Sequence, residues 1–157
     1  MMEKFIEYLQ EAQRIIKTAD HIAYVTFPLI KDKRLLIKIL TEIKKALAYC
    51  INAILQYEYL YKRIRLYKDA KSNFKTFIDK SSTRFGIKNN EIKQILYIFE
   101  LVEAHKTSPM EFVKEDKIII LSEDMKQETL NLEKTKEFII LAKNILKKTK
   151  DTISCDT

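Results

Sequence analysis

The chain has 157 residues, 46% of them hydrophobic and 32% charged, with 29 Lys and Arg against 22 Asp and Glu for a formal net charge of +7. That length suits one domain with its own core, and the apolar content excludes a disordered chain. One glycine, Gly86, and two prolines, Pro28 and Pro109, are too few for the turns of a β-sandwich or barrel, and they exclude every glycine-rich phosphate loop.

From Glu3 to Val25, Phe5, Leu9, Ala12, Ile16, Ala19 and Ala23 recur at steps of three and four, which is one face of a helix. Pro28 disfavours helix at Phe27 and is expected to end this segment. Asp32 is the expected N-cap of the next helix, which runs from Lys33 to about Tyr67. Its stripe is Leu36, Ile39, Leu40, Ile43, Leu47, Cys50, Ile51, Ile54, Tyr57, Tyr61 and Ile64. A helix of about 30 residues reaches ~45 Å and can serve as the spine of a bundle.

A third helix spans about Ala70 to Phe85, with Gly86 placed as a left-handed C-terminal cap. A fourth follows an Asn89 or Asn90 cap, turns Ile92, Ile95, Leu96, Phe99 and Val102 inward, and stops before Pro109. Phe112-Val113 and Ile118 to Leu121 flank Lys114-Glu115-Asp116-Lys117, the pattern of a short β-hairpin. Were the edge of its apolar second strand uncovered, that strand would pair with something, for instance a second copy; burial against the last helix is the alternative. Asn131 caps a last helix to about Lys148, with Leu132, Thr135, Phe138, Ile139, Ala142, Ile145 and Leu146 inward. The expectation is an all-α fold: about five helices around one long central helix, with a β-hairpin before the last. Residues 1–150 form a single domain and 151–157 a frayed tail.

Cys50 and Cys155 have no metal-like spacing and read as free thiols of a cytoplasmic protein. The N-terminal residues lead into an amphipathic helix rather than an apolar signal segment. No stretch approaches the ~20 apolar residues that span a bilayer, so no membrane partner is expected. Neither His21 nor His105 stands in a Glu-x-x-His pair, so a di-metal centre fails at its first requirement, and neither a metal nor a cofactor is expected.

Two stretches suggest a ligand. Tyr57 to Lys68 interleaves four tyrosines with Lys62, Arg63, Arg65 and Lys68, a composition that can stack bases and hold phosphates. The bland alternative is a core stripe with a solvated face. His105 continues the apolar side of the fourth helix beside Glu103 and Lys106. Arg14 and His21 lie on one helix face, a match read as chance.

The string Leu101-Val102-Glu103-Ala104-His105-Lys106-Thr107-Ser108-Pro109, then Glu111-Phe112, resembles the end of the motif helix in HEPN (higher eukaryotes and prokaryotes nucleotide-binding) domains. Most of the chain is similar to uncharacterised archaeal all-helical proteins of that general kind. The similarity includes Ala19-Asp20-His21, Val25 to Leu29, and Tyr57 to Ile64. The resemblance implies a helical bundle that forms a homodimer. In many HEPN domains an Arg and a His four to six residues later cleave RNA without metal. The Arg offsets charge building on phosphorus while the His moves protons. Here Ile98-Phe99-Glu100 stands where the Arg belongs.

The resemblance therefore implies a non-catalytic or weakly catalytic protein that binds RNA or a nucleotide. His105 is the one catalytic candidate, and His105, Lys106, Arg63, Arg65, Lys68 and Arg84 are candidate nucleic-acid contacts, with Asp20 and His21 as further candidates. An adaptor that binds a protein partner is the alternative. A metal-independent ribonuclease with a rearranged site is the second.

Overall fold

A computed structural model describes residues 3–156. Among them are five helical rods and one small antiparallel sheet just before the last rod. The long helix lies at the centre. α3 (Arg34–Leu60) packs most extensively on α1 (Lys4–His21), then on α7 (Leu132–Asp156), and also meets α6 (Asn89–Thr107). Its apolar stripe from Leu36 to Tyr57 is buried as the spacing predicts. Tyr57, fully buried, meets Phe5 edge-on at 5.2 Å and Phe85 at 6.1 Å between centroids, which ties three rods together.

The first rod does not stop at Pro28. α1 continues through a π-helical turn, Ile22–Thr26, into α2 (Phe27–Ile30). In the wider turn Phe27 N–H reaches back to the Ile22 carbonyl. An inserted residue of this kind leaves one carbonyl without a donor. Proline has no N–H to give, so the two omissions coincide. The rod ends instead at Lys31, in the left-handed conformation at φ 58°, where its N–H bonds to Phe27 O at 2.7 Å.

The central helix is shorter than expected and ends at Leu60 rather than Tyr67. Arg63 N–H bonds to Glu58 O at 2.9 Å, Lys62 N–H bonds to Tyr59 O at 3.0 Å, and Lys62 lies at φ 60°. This is the Schellman closure, built on a lysine instead of a glycine. Tyr61 is consequently exposed, while Ile64 is buried from the loop that follows. At the other end the N-cap position is Lys33, one residue later than expected, and Asp32 just before it accepts from Arg34 N–H through Oδ1 at 2.9 Å.

The third rod is α4 (Ala70–Thr76), a π-turn Phe77–Ser81, and α5 (Ser82–Arg84). It closes with the same motif, here with Gly86 at φ 69° and Ile87 N–H on Ser82 O at 2.9 Å. α6 is capped from Lys88, one residue earlier than Asn89: Glu91 accepts from Lys88 N–H at 3.0 Å. Its inward residues are Ile92, Ile95, Ile98, Leu101 and Val102, whereas Leu96 is exposed.

The hairpin has a third strand. β1 (Met110–Lys114), β2 (Lys117–Leu121) and β3 (Gln127–Asn131) form an antiparallel sheet in the order β1-β2-β3. The apolar second strand is therefore central, with Ile118 and Ile120 in the core, and the uncovered edge belongs to β1. Asn131 caps α7 through Lys134 N–H at 2.8 Å. α7 runs on to Asp156, with Ile153 packed against the core, where a frayed tail was expected from residue 151. No helix of the described residues is long and apolar enough to cross a membrane.

Candidate functional site

The Tyr57–Lys68 stretch does not form a basic platform. Glu58 points inward from the last turns of α3 and is fully buried. Arg63, turned back by the Schellman closure, bonds to its Oε2 at 2.9 Å. Arg84, at the end of α5, donates Nε to Glu58 Oε1 at 2.5 Å and adds its Nη2 to the same oxygen. Arg63 also stacks on Tyr61, with 5.4 Å to the ring centroid. A buried carboxylate needs such partners, and these two guanidinium groups supply them. On the surface, Arg14 pairs with Glu11 and Arg34 with Asp32, both in contact with solvent. Four of the five arginines are thus engaged with carboxylates. Arg65 and Lys68 lie exposed in the loop after α3.

His105 lies half-buried in the last turn of α6. Its Nδ1 meets Glu111 Oε2 of β1 at 2.6 Å, a clamp between helix end and sheet. Lys106, next along, faces solvent. Among the described residues no group of three or more His, Cys, Asp and Glu side chains could hold a metal ion.

Asp20 and His21 end α1. His21 is exposed, and Asp20 accepts from Lys143 Nζ of α7 at 2.8 Å. This pair marks one end of a groove of about 300 Å³ between α1 and α7. Ile16 and Leu146 form its floor, and Lys17, Lys143, Lys147 and Lys150 line it. The helical period explains the alignment: 143, 147 and 150 share a face of α7, and 13 and 17 share a face of α1. Lys147 is tied to Asp151 at 2.9 Å, and Lys150 donates to the Gln13 amide oxygen. Four lysines thus line the groove, and two of them, Lys143 and Lys147, are paired with the carboxylates of Asp20 and Asp151. Exposed pairs of this type are worth little, so a phosphate can displace an aspartate at small cost.

The sequence reading missed this groove. Its signal is present in Lys143, Lys147 and Lys150 at helical spacing. Only the packing of α7 on α1 shows that Lys17 joins them.

A second concavity, about 460 Å³, lies between α3, α4 and α6. Ile51, Leu55, Phe74, Leu96 and Phe99 make it apolar, and Lys44 and Lys71 stand among its lining. The Phe74 and Phe99 rings meet at 5.5 Å, and Lys44 Nζ lies 5.9 Å from the Phe99 centroid. No protein-family model, no curated protein and no solved structure matches this chain.

Proposed function

We propose that this chain is a non-catalytic binding module for a phosphate-bearing polymer, single-stranded RNA, held along the α1–α7 groove. The supporting observation is the convergence of Lys17, Lys143, Lys147 and Lys150 on one groove in a chain of net charge +7. Lysine ammonium groups on flexible stems suit phosphate contacts without sequence readout. Catalysis is set aside because Ile98-Phe99-Glu100 stands where the HEPN motif Arg belongs, and Arg63 and Arg84 are held by the buried Glu58. The HEPN resemblance agrees with a bundle that keeps nucleic-acid affinity without the motif Arg.

The test is fluorescence anisotropy with a labelled uridine-rich single strand across a salt series. Binding should weaken steeply with salt, and a Lys143→Gln, Lys147→Gln, Lys150→Gln triple variant should bind at least about tenfold more weakly. Flat curves at low salt, or a triple variant that binds like the parent, overturn the proposal. RNA cleavage that disappears with His105→Ala would establish the ribonuclease reading instead.

The α3–α4–α6 groove favours a second reading, an adaptor that takes an amphipathic partner helix bearing acidic residues. Its apolar floor with Lys44 and Lys71 in the lining is the geometry of helix-in-groove recognition. A partner bound there would be released by Leu96→Asp while RNA binding stayed unchanged.

A further inference from the structure

β1 is an uncovered sheet edge. β2 separates it from β3, and all five β1 residues are exposed. Met110, Phe112 and Val113 keep 57%, 41% and 57% of their surface in solvent. Lys114 pairs with Lys117 across a two-residue turn, with Glu115 at φ 56°. A hydrogen-bonded pair closes such a hairpin, and bonded and non-bonded pairs then alternate. The backbone groups of Lys114, Phe112 and Met110 therefore face β2. Those of Glu111 and Val113 face outward.

We propose that β1 pairs antiparallel with β1 of a second copy of this chain, about a two-fold axis passing beside Phe112. A two-fold perpendicular to the sheet keeps its faces, so each residue must meet one of the same face. Three registers near the strand centre satisfy this. One sets Glu111 against Glu111 of the partner subunit, and another runs Glu111 onto the turn at Glu115 of the partner subunit, which is not extended and carries a like charge. Like charges directly opposite are unfavourable. The remaining register pairs Glu111 with Val113 of the partner subunit and Phe112 with Phe112 of the partner subunit.

That register also satisfies the backbone. The outward groups of Glu111 and Val113 meet their counterparts, and Phe112 falls in the non-bonded pair, where side chains approach most closely. The result is a six-stranded sheet across two copies. Five-residue strands bury less than the ~1,600 Å² of a standard interface, so the association depends on concentration.

Sedimentation equilibrium tests this on the full chain. The parent should pass from monomer to dimer as concentration rises. Val113→Pro removes an outward N–H that the hairpin does not use, and should weaken the dimer at least about tenfold with an unchanged helical circular-dichroism signal. Should that variant misfold, Phe112→Asp, which brings two like charges together across the axis, should do the same. In a Cys155→Ser background, Phe112→Cys should form a disulfide-linked dimer under mild oxidation and Lys114→Cys should not. A parent that stays monomeric up to about 0.5 mM overturns the proposal, including one that instead takes an extended peptide along β1. So does a dimer that both edge variants leave intact, or equal cross-linking at both positions.

Discussion

Arg84 reaches across 26 positions of sequence to place its guanidinium on the buried carboxylate of Glu58. The two partners are not equivalent. Glu58 is fully enclosed, while Arg84 and Arg63 keep part of their surface in water. Arg84→Met leaves a buried charge with one partner and should cost about 2 kcal/mol, the partial exposure of Arg84 placing it below a fully buried pair. Glu58→Gln removes the buried charge itself and leaves both arginines with access to solvent, and should cost less. Urea unfolding of both variants checks this order; an equal or reversed order would mean that the carboxylate is not the stranded group.

Glu91 gives the fold an acid-sensitive contact. Its burial opposes ionisation, but the Lys148 ammonium at 2.5 Å and the Lys88 N–H outweigh it and hold its carboxyl below the ordinary glutamate value. A carboxyl depressed on folding stabilises the protein above its unfolded pKa, and that contribution is lost as pH falls through the folded one. The parent should therefore lose stability between about pH 5 and pH 3 more steeply than Glu91→Gln does. Thermal midpoints over that range decide it, and parallel curves would remove Glu91 as the cause.

The two thiols should separate cleanly. Cys50 is buried in the face of α3, and burial pushes its thiol up to about 12. Thiolate is the reactive form, so Cys50 should ignore a disulfide reagent at pH 8 in the folded protein. Cys155 is exposed and should react at once. One thiol should be counted in native protein and two in denaturant. Two fast thiols in native protein would mean that α3 opens readily.

Left-handed residues close two rods in the same way, once with Gly86 and once with Lys62. A Cβ on Gly86 would meet nothing within 4 Å, so Gly86→Ala isolates the backbone cost, about 1 kcal/mol of destabilisation. Lys62→Gly should have the opposite sign and stabilise by about 0.5–1 kcal/mol. Calorimetric midpoints of the two variants should move in opposite directions; a shared direction would mean that something other than φ governs these ends.

Local pattern was enough for the rods. The steps of three and four through Leu36, Ile43, Cys50 and Tyr57 place α3 and its buried face, because helical burial is written in a window of a few residues. Gly86, Asn131 and the Ile118–Leu121 run were legible for the same reason: each carries its own backbone or side-chain preference. Where a motif used an unsuited residue, the pattern misled. Lys62 hides a helix end, a π-turn lets Pro28 sit inside a rod, and Gln127 to Asn131, with Leu130 its one buried apolar side chain, conceals a strand that exists only because β2 offers it an edge. Charge was the least legible quantity. Composition sets the excess of cations, but whether a cation is free depends on what packs beside it. Glu58 engages two of the arginines the sequence offered for RNA, and α1 brings Lys17 to the lysines of α7. Electrostatic partners are chosen through space, over tens of residues of chain, and no short window records that choice.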